Sequence, residues 1–110
     1  MVEVFGTFIL RLENQNYIGE FFNNHINDFI PEIITSNQLN AGFAGTFNAS
    51  WQENNLQFTS DLTIIQNGNN VVNLLWTNLM ANGQPSNSVL VGRGVVRGNI
   101  LTCVYTEVKA

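Results

Sequence analysis

The sequence predicts an α+β domain that is mostly β: a six-stranded, antiparallel, curved sheet or small barrel with one kinked N-terminal helix packed on it. Three observations carry this. From residue 42 to residue 108 apolar side chains recur with period two between closely spaced turn residues, the mark of half-buried strands. Between residues 17 and 36 they recur at spacings of one, three and four, which describes a helical stripe. The chain has 110 residues, 45% hydrophobic and 11% charged, enough for one core in a single domain spanning 1–110.

The elements follow in order. Val2 to Leu12 alternates and reads as the first strand, 2–12. Tyr17 to Ser36 sets Phe21, Phe22, His25, Ile26, Phe29, Ile30, Ile33 and Ile34 on one helical stripe. Pro31 lacks an amide hydrogen and predicts a kink or a split there. Phe43, Gly45, Phe47, Ala49 and Trp51 then alternate with polar or small residues, and Leu56 to Ile64 alternates again after the turn at Gln52-Glu53-Asn54. Asn67-Gly68 is a strong hairpin signal, because both residues tolerate positive φ. Val71 to Leu79 is apolar on both faces and reads as a central strand.

A loop over Ala81–Asn87 leads into Ser88–Val96, where Gly92 and Gly94 share a face and imply curvature or the close approach of another group. Arg97-Gly98-Asn99 turns the chain into Ile100–Val108, rich in β-branched and aromatic residues. These five strands form a meander, 42–108. The helix 17–36 must cover its open face or plug a barrel mouth, since a stripe of large apolar side chains is disfavoured in water.

Charge and composition exclude several functions. Four basic and eight acidic residues leave a net charge of −4, and no segment concentrates Lys or Arg. A phosphate backbone would therefore find no footprint, and neither would an anionic membrane. No stretch approaches the roughly 18 apolar residues of a membrane-spanning helix. The lone Cys103 cannot form an internal disulfide, and Glu3 stands where a secretory leader needs basic residues, so a cytoplasmic protein is expected. Polarity is supplied by amides instead: Asn occurs eighteen times.

Gly45-Thr46-Phe47 lies on the first strand of the meander, and Arg93 and Arg97 lie on a late one. In this, residues 42–110 resemble the calycin-type barrels, the lipocalin and avidin grouping, in which a Gly-x-Trp on an early strand packs against a late arginine. Phe47 stands here in place of the tryptophan. The resemblance implies an eight-stranded carrier of small molecules, whereas the residues themselves give six strands.

Each candidate site residue has a functional and a structural reading. Arg93 alternates with Val89, Val91 and Val95; turned inward, it would need an anion or a carboxylate such as Glu107, beside Tyr105 on the next strand. Turned outward, or paired with Glu107 across the strands, it is structural. His25, the sole histidine, could act as a base near Asp28 or Glu32, but no partnered nucleophile accompanies it, and a satisfied core histidine is the commoner case. Cys103 sits mid-strand as a small hydrophobe. One His, one Cys and scattered acids make no metal site. The aromatic residues form a pocket or simply the core.

A six-stranded barrel leaves little interior room, which would place a pocket between helix and sheet. The expectation is a non-catalytic protein that uses no cofactor and binds a small hydrophobic or aromatic molecule through Phe47, Trp51, Phe58, Trp76, Arg93, Tyr105 and His25. The alternative is a homo-oligomeric or protein-interaction module pairing through a free edge at Ile100–Val108. A calycin-like enzyme using His25 or Arg93 stands third.

Overall fold

The computed structural model describes residues 3–36 and 42–109. Among these residues nine strands are formed: β1 Phe5–Glu13, β2 Asn16–Asn23, β3 Ile30–Ser36, β4 Gly45–Glu53, β5 Leu56–Gln66, β6 Val71–Ala81, β7 Gln84–Pro85, β8 Ser88–Arg97 and β9 Ile100–Lys109. Eight of them close into an antiparallel barrel in meander order, β1-β2-β3-β4-β5-β6-β8-β9, with β9 returning to β1. The two-residue β7 hangs on β6 at Met80 and Ala81. This is the architecture that calycin-type barrels share.

The expected helix at 17–36 is absent, and with it the six-stranded count: the segment forms β2 and β3. Its apolar spacing arises from two strands that carry apolar residues on both faces. On β2, Tyr17, Gly19, Phe21 and Asn23 turn inward while Ile18 and Phe22 turn outward; on β3, Glu32 and Ile34 turn inward and Ile33 outward. Ile26 and Phe29 of the connecting loop complete the apparent stripe. Pro31 lies opposite Glu20, where β3 has partners in register on β2 only, because its pairing with β4 starts at Ile33. A strand tolerates proline at such a one-sided position.

The strands from residue 45 onward fall within a few residues of the sequence reading. The first strand runs Phe5–Glu13, and its expected start, Val2, lies outside the described residues. Closure leaves no edge at Ile100–Val108, since β9 pairs with β8 on one side and β1 on the other. The free edge expected there does not exist.

Tight turns are built by residues that accept the left-handed region. Positive φ occurs at Asn14 and Gln15, at Asn54 and Asn55, and at Asn82 and Gly83, each pair closing a two-residue hairpin. A bulge sets two residues of β6, Asn78 and Leu79, against Ser60 of β5. There Asn78 adopts φ 54° and its amide donates to Asp61 Oδ2 at 2.7 Å.

The inward faces interdigitate as one core, with Phe8, Leu10, Phe47, Leu62, Trp76 and Leu101 fully buried. Phe8 meets Trp76 edge to face at 5.2 Å. Of the readings open for Gly92 and Gly94, close approach is the one the packing shows: a Cβ on Gly94 would stand 2.5 Å from the carbonyl oxygen of Thr102 on β9. Eight strands give an interior just wide enough to be filled by side chains or to hold one small ligand, and this barrel does each at a different end.

Candidate functional site

One end of the barrel is plugged. Tyr17, Phe43 and Phe47 crowd it with ring-to-ring contacts at 5.0 and 6.4 Å, and the Tyr17 hydroxyl donates to the Gly42 carbonyl at 2.6 Å. The other end, where β2, β4, β6 and β9 finish, opens into a cavity of about 220 Å³. An apolar cavity of about 150 Å³ already admits benzene, so this one suits a single ring with a short substituent.

Strand alternation positions the walls. Trp51 and Phe58 are opposed on neighbouring strands and stack at 5.5 Å with their planes 9° apart. Phe21 meets Trp51 edge-on at 5.9 Å, and Trp76 lies 5.7 Å from Tyr105 across the floor. Leu79 turns into the cavity because the bulge at Asn78 restores the inward face one residue later.

Polar groups interrupt this aromatic lining. Glu32, only 5% exposed, accepts the Trp76 indole N–H on Oε2 at 3.0 Å. Burial pushes its carboxyl up to about 8, against the opposing pull of that hydrogen bond, so it is mostly protonated at neutral pH. Asn23 donates to Glu53 Oε2 at 3.3 Å and to the Tyr105 hydroxyl at 3.4 Å. The hydroxyl of Ser88 donates to Glu107 Oε2 at 2.7 Å. Burial raises the Tyr105 phenol as well, and lifts the Cys103 thiol behind it to about 12. Both stay protonated under ordinary conditions, and a buried thiol of that kind is a poor nucleophile.

Comparison with protein-family models, curated proteins and solved structures finds no match for this chain. The site must therefore speak through its own chemistry.

Four of the seven residues expected to bind a ligand line the cavity together: Trp51, Phe58, Trp76 and Tyr105. Phe47 is buried at the plugged end. Arg93 is exposed on the outer face, opposite Val104 on β9 and Asn73 on β6. It cannot pair with Glu107, which lies opposite Leu90 and faces inward; positions 90 and 93 fall on opposite faces of β8. His25 is exposed in the β2–β3 loop, where its backbone amide donates to Asn23 Oδ1 at 2.9 Å.

The carboxyl groups Glu32 and Glu53 were not expected in the site. Read as strands, Glu32-x-Ile34 and Trp51-x-Glu53 alternate inward, so the signal was present once the helix is set aside. Among the described residues no group of three or more His, Cys, Asp or Glu could hold a metal ion.

Proposed function

We propose that this protein is a non-catalytic binding protein that holds one small, largely apolar or aromatic molecule in the open mouth of its barrel, in the manner of the calycin-type carriers it resembles. One observation carries the reading: an eight-stranded barrel crowded by aromatic rings at one end keeps, at the other, a cavity of about 220 Å³ walled by two tryptophans, two phenylalanines and a tyrosine. A core built only for stability would fill such a space, because an unfilled apolar void forfeits packing energy. A few converging polar groups among aromatic walls are what a small-molecule site needs to fix orientation. The pocket is framed by strands, with Val4 and Ser86 from the segments beside them, in place of the helix-and-sheet cleft that the sequence suggested.

The test is a thermal-shift screen of small aromatic and apolar compounds against the wild-type chain and against Leu90→Trp, which fills the mouth from β8. A ligand at about one hundred times its Kd stabilises by roughly 2.7 kcal/mol, which raises the Tm of a domain this size by about 10 °C or more. The expected result is such a shift in the wild type and none in a folded Leu90→Trp. No shift with any compound, or equal shifts in both proteins, overturns the proposal.

A further inference from the structure

The cavity carries charge of one sign. Glu32, Glu53 and Glu107 border it, and none of the four basic side chains, Arg11, Arg93, Arg97 and Lys109, belongs to its lining. The donors described above engage one oxygen of each carboxyl group: Trp76 on Glu32, Asn23 on Glu53 and Ser88 on Glu107. Among the described residues none donates a hydrogen bond to the second oxygen of Glu32, Oε1. No buried side-chain oxygen or nitrogen among the described residues is left unsatisfied, so Oε1 must be reached from the cavity. A carboxyl group that is almost wholly enclosed thus presents one open oxygen to whatever enters, a hydroxyl donor while Glu32 keeps its proton and an acceptor once the proton has left.

The surroundings select among ligand charges. An anion would face three carboxyl groups, with no basic side chain among the described residues of the lining. A bare metal ion would need ligands converging on one point, and the carboxyl groups do not form such a cluster. An organic cation fits both features of the wall. Tryptophan faces attract cations most strongly of the aromatic side chains, and more so when water is excluded. Two of them flank the space together with the Phe58 and Tyr105 rings.

We propose, on the reading that the cavity binds a small molecule, that its ligand is an organic cation: a protonated amine or quaternary ammonium with a compact aromatic or apolar body, its positive centre set against Glu32 Oε1. The body lies among Trp51, Phe58 and Trp76. Glu53 and Glu107 at the rim draw the cation in, an attraction that salt weakens. Facing Glu32 are the Trp76 indole on β6, Tyr105 and Cys103 on β9, and the rim carboxylates Glu53 on β4 and Glu107 on β9. Tyr105 and Cys103 hold their protons throughout the neutral range, so the group that changes state is Glu32. Seating a cation beside it favours the carboxylate, and the Glu32 proton leaves to solvent as the ligand enters.

Isothermal titration calorimetry on the full chain tests this with benzyltrimethylammonium and 2-phenylethylamine as cations, 2-phenylethanol as the neutral analogue and 3-phenylpropanoate as the anion. The cations are expected to bind at least about tenfold more tightly than the alcohol, with no binding of the anion. At pH 7, titrations in buffers of different ionisation enthalpy should show proton release with the cations alone. Glu32→Gln keeps an acceptor for the Trp76 indole and should weaken the cations about tenfold while leaving the alcohol unchanged. Should that variant not fold, Glu53→Gln at the rim reads the same direction with a smaller loss. An alcohol that binds as well as the cations, or cation binding indifferent to both substitutions, overturns the cation assignment and leaves the binding proposal standing. Failure of all four compounds counts against both.

Discussion

Glu32 shows most directly how one position links folding to chemistry. In the folded chain burial lifts its carboxyl from an ordinary 4.5 to about 8. Between those values the native state holds a proton that the unfolded chain releases, so stability falls as pH rises, by up to about 1.4 kcal/mol per pH unit. Below pH 4.5 both states are protonated and above pH 8 both are ionised, so the slope from this residue vanishes at each end. The Tm of the wild type minus that of Glu32→Gln, followed from pH 5 to pH 9, should therefore decline to pH 8 and then level off. A difference that stays constant would show that Glu32 is solvated in the native protein, and one that rises would show that folding stabilises its carboxylate. The abundant asparagines also find a reason residue by residue. Among the described residues, six of the seven non-glycine positions with positive φ are Asn, at 14, 54, 55, 70, 78 and 82. The short amide side chain tolerates that region better than other L-residues, so much of the unusual composition is turn chemistry.

The strands explain why part of the fold was readable and part was not. In β4, β5, β6 and β9 buried positions alternate with more exposed ones, and turn residues punctuate each change of direction, so period two survives in the sequence. β2 and β3 alternate in burial but not in polarity: Ile18, Phe22 and Ile33 are exposed while Gly19, Asn23 and Glu32 are buried. With polarity inverted at the buried positions, spacing alone favours a helix. The inversion falls at the cavity, where Asn23 and Glu32 are needed as polar groups, so the misread segment and the missed site residues share one cause. The β8–β9 contact was anticipated, and it makes a sharp test. A methyl group on Gly94 would meet the Thr102 carbonyl at 2.5 Å and the Leu101 side chain at 2.9 Å, whereas one on Gly42 would meet nothing within 4 Å. Gly94→Ala should cost about 1–3 kcal/mol in urea denaturation, and Gly42→Ala about 0.5 kcal/mol or less. Equal midpoints for the two variants would mean that β8 and β9 are not packed this closely.

For the molecule as a whole, the decisive event is closure. Pairing of β5 with β6 and of β1 with β9 turns a row of strands into a container, and it brings Glu32, Trp76 and Tyr105, far apart in the chain, to one mouth. No local pattern announces that meeting, since alternation tells which face a side chain takes and not which strands become neighbours around a ring. Closure also removes the strand edge through which pairing with another chain was expected. What remains outside is a wall with exposed Phe5, Ile33 and Val104, a second surface to which an apolar molecule could adhere. The proposed ligand lies inside, against Trp76. The chain has two indole N–H groups, and that of Trp76 is bonded to Glu32. Titrating benzyltrimethylammonium into ¹⁵N-labelled protein should shift the Trp76 indole resonance saturably, together with the backbone amides around Trp51 and Tyr105. Shifts confined to Phe5, Ile33 and Val104, with the Trp76 indole unmoved, would contradict that placement.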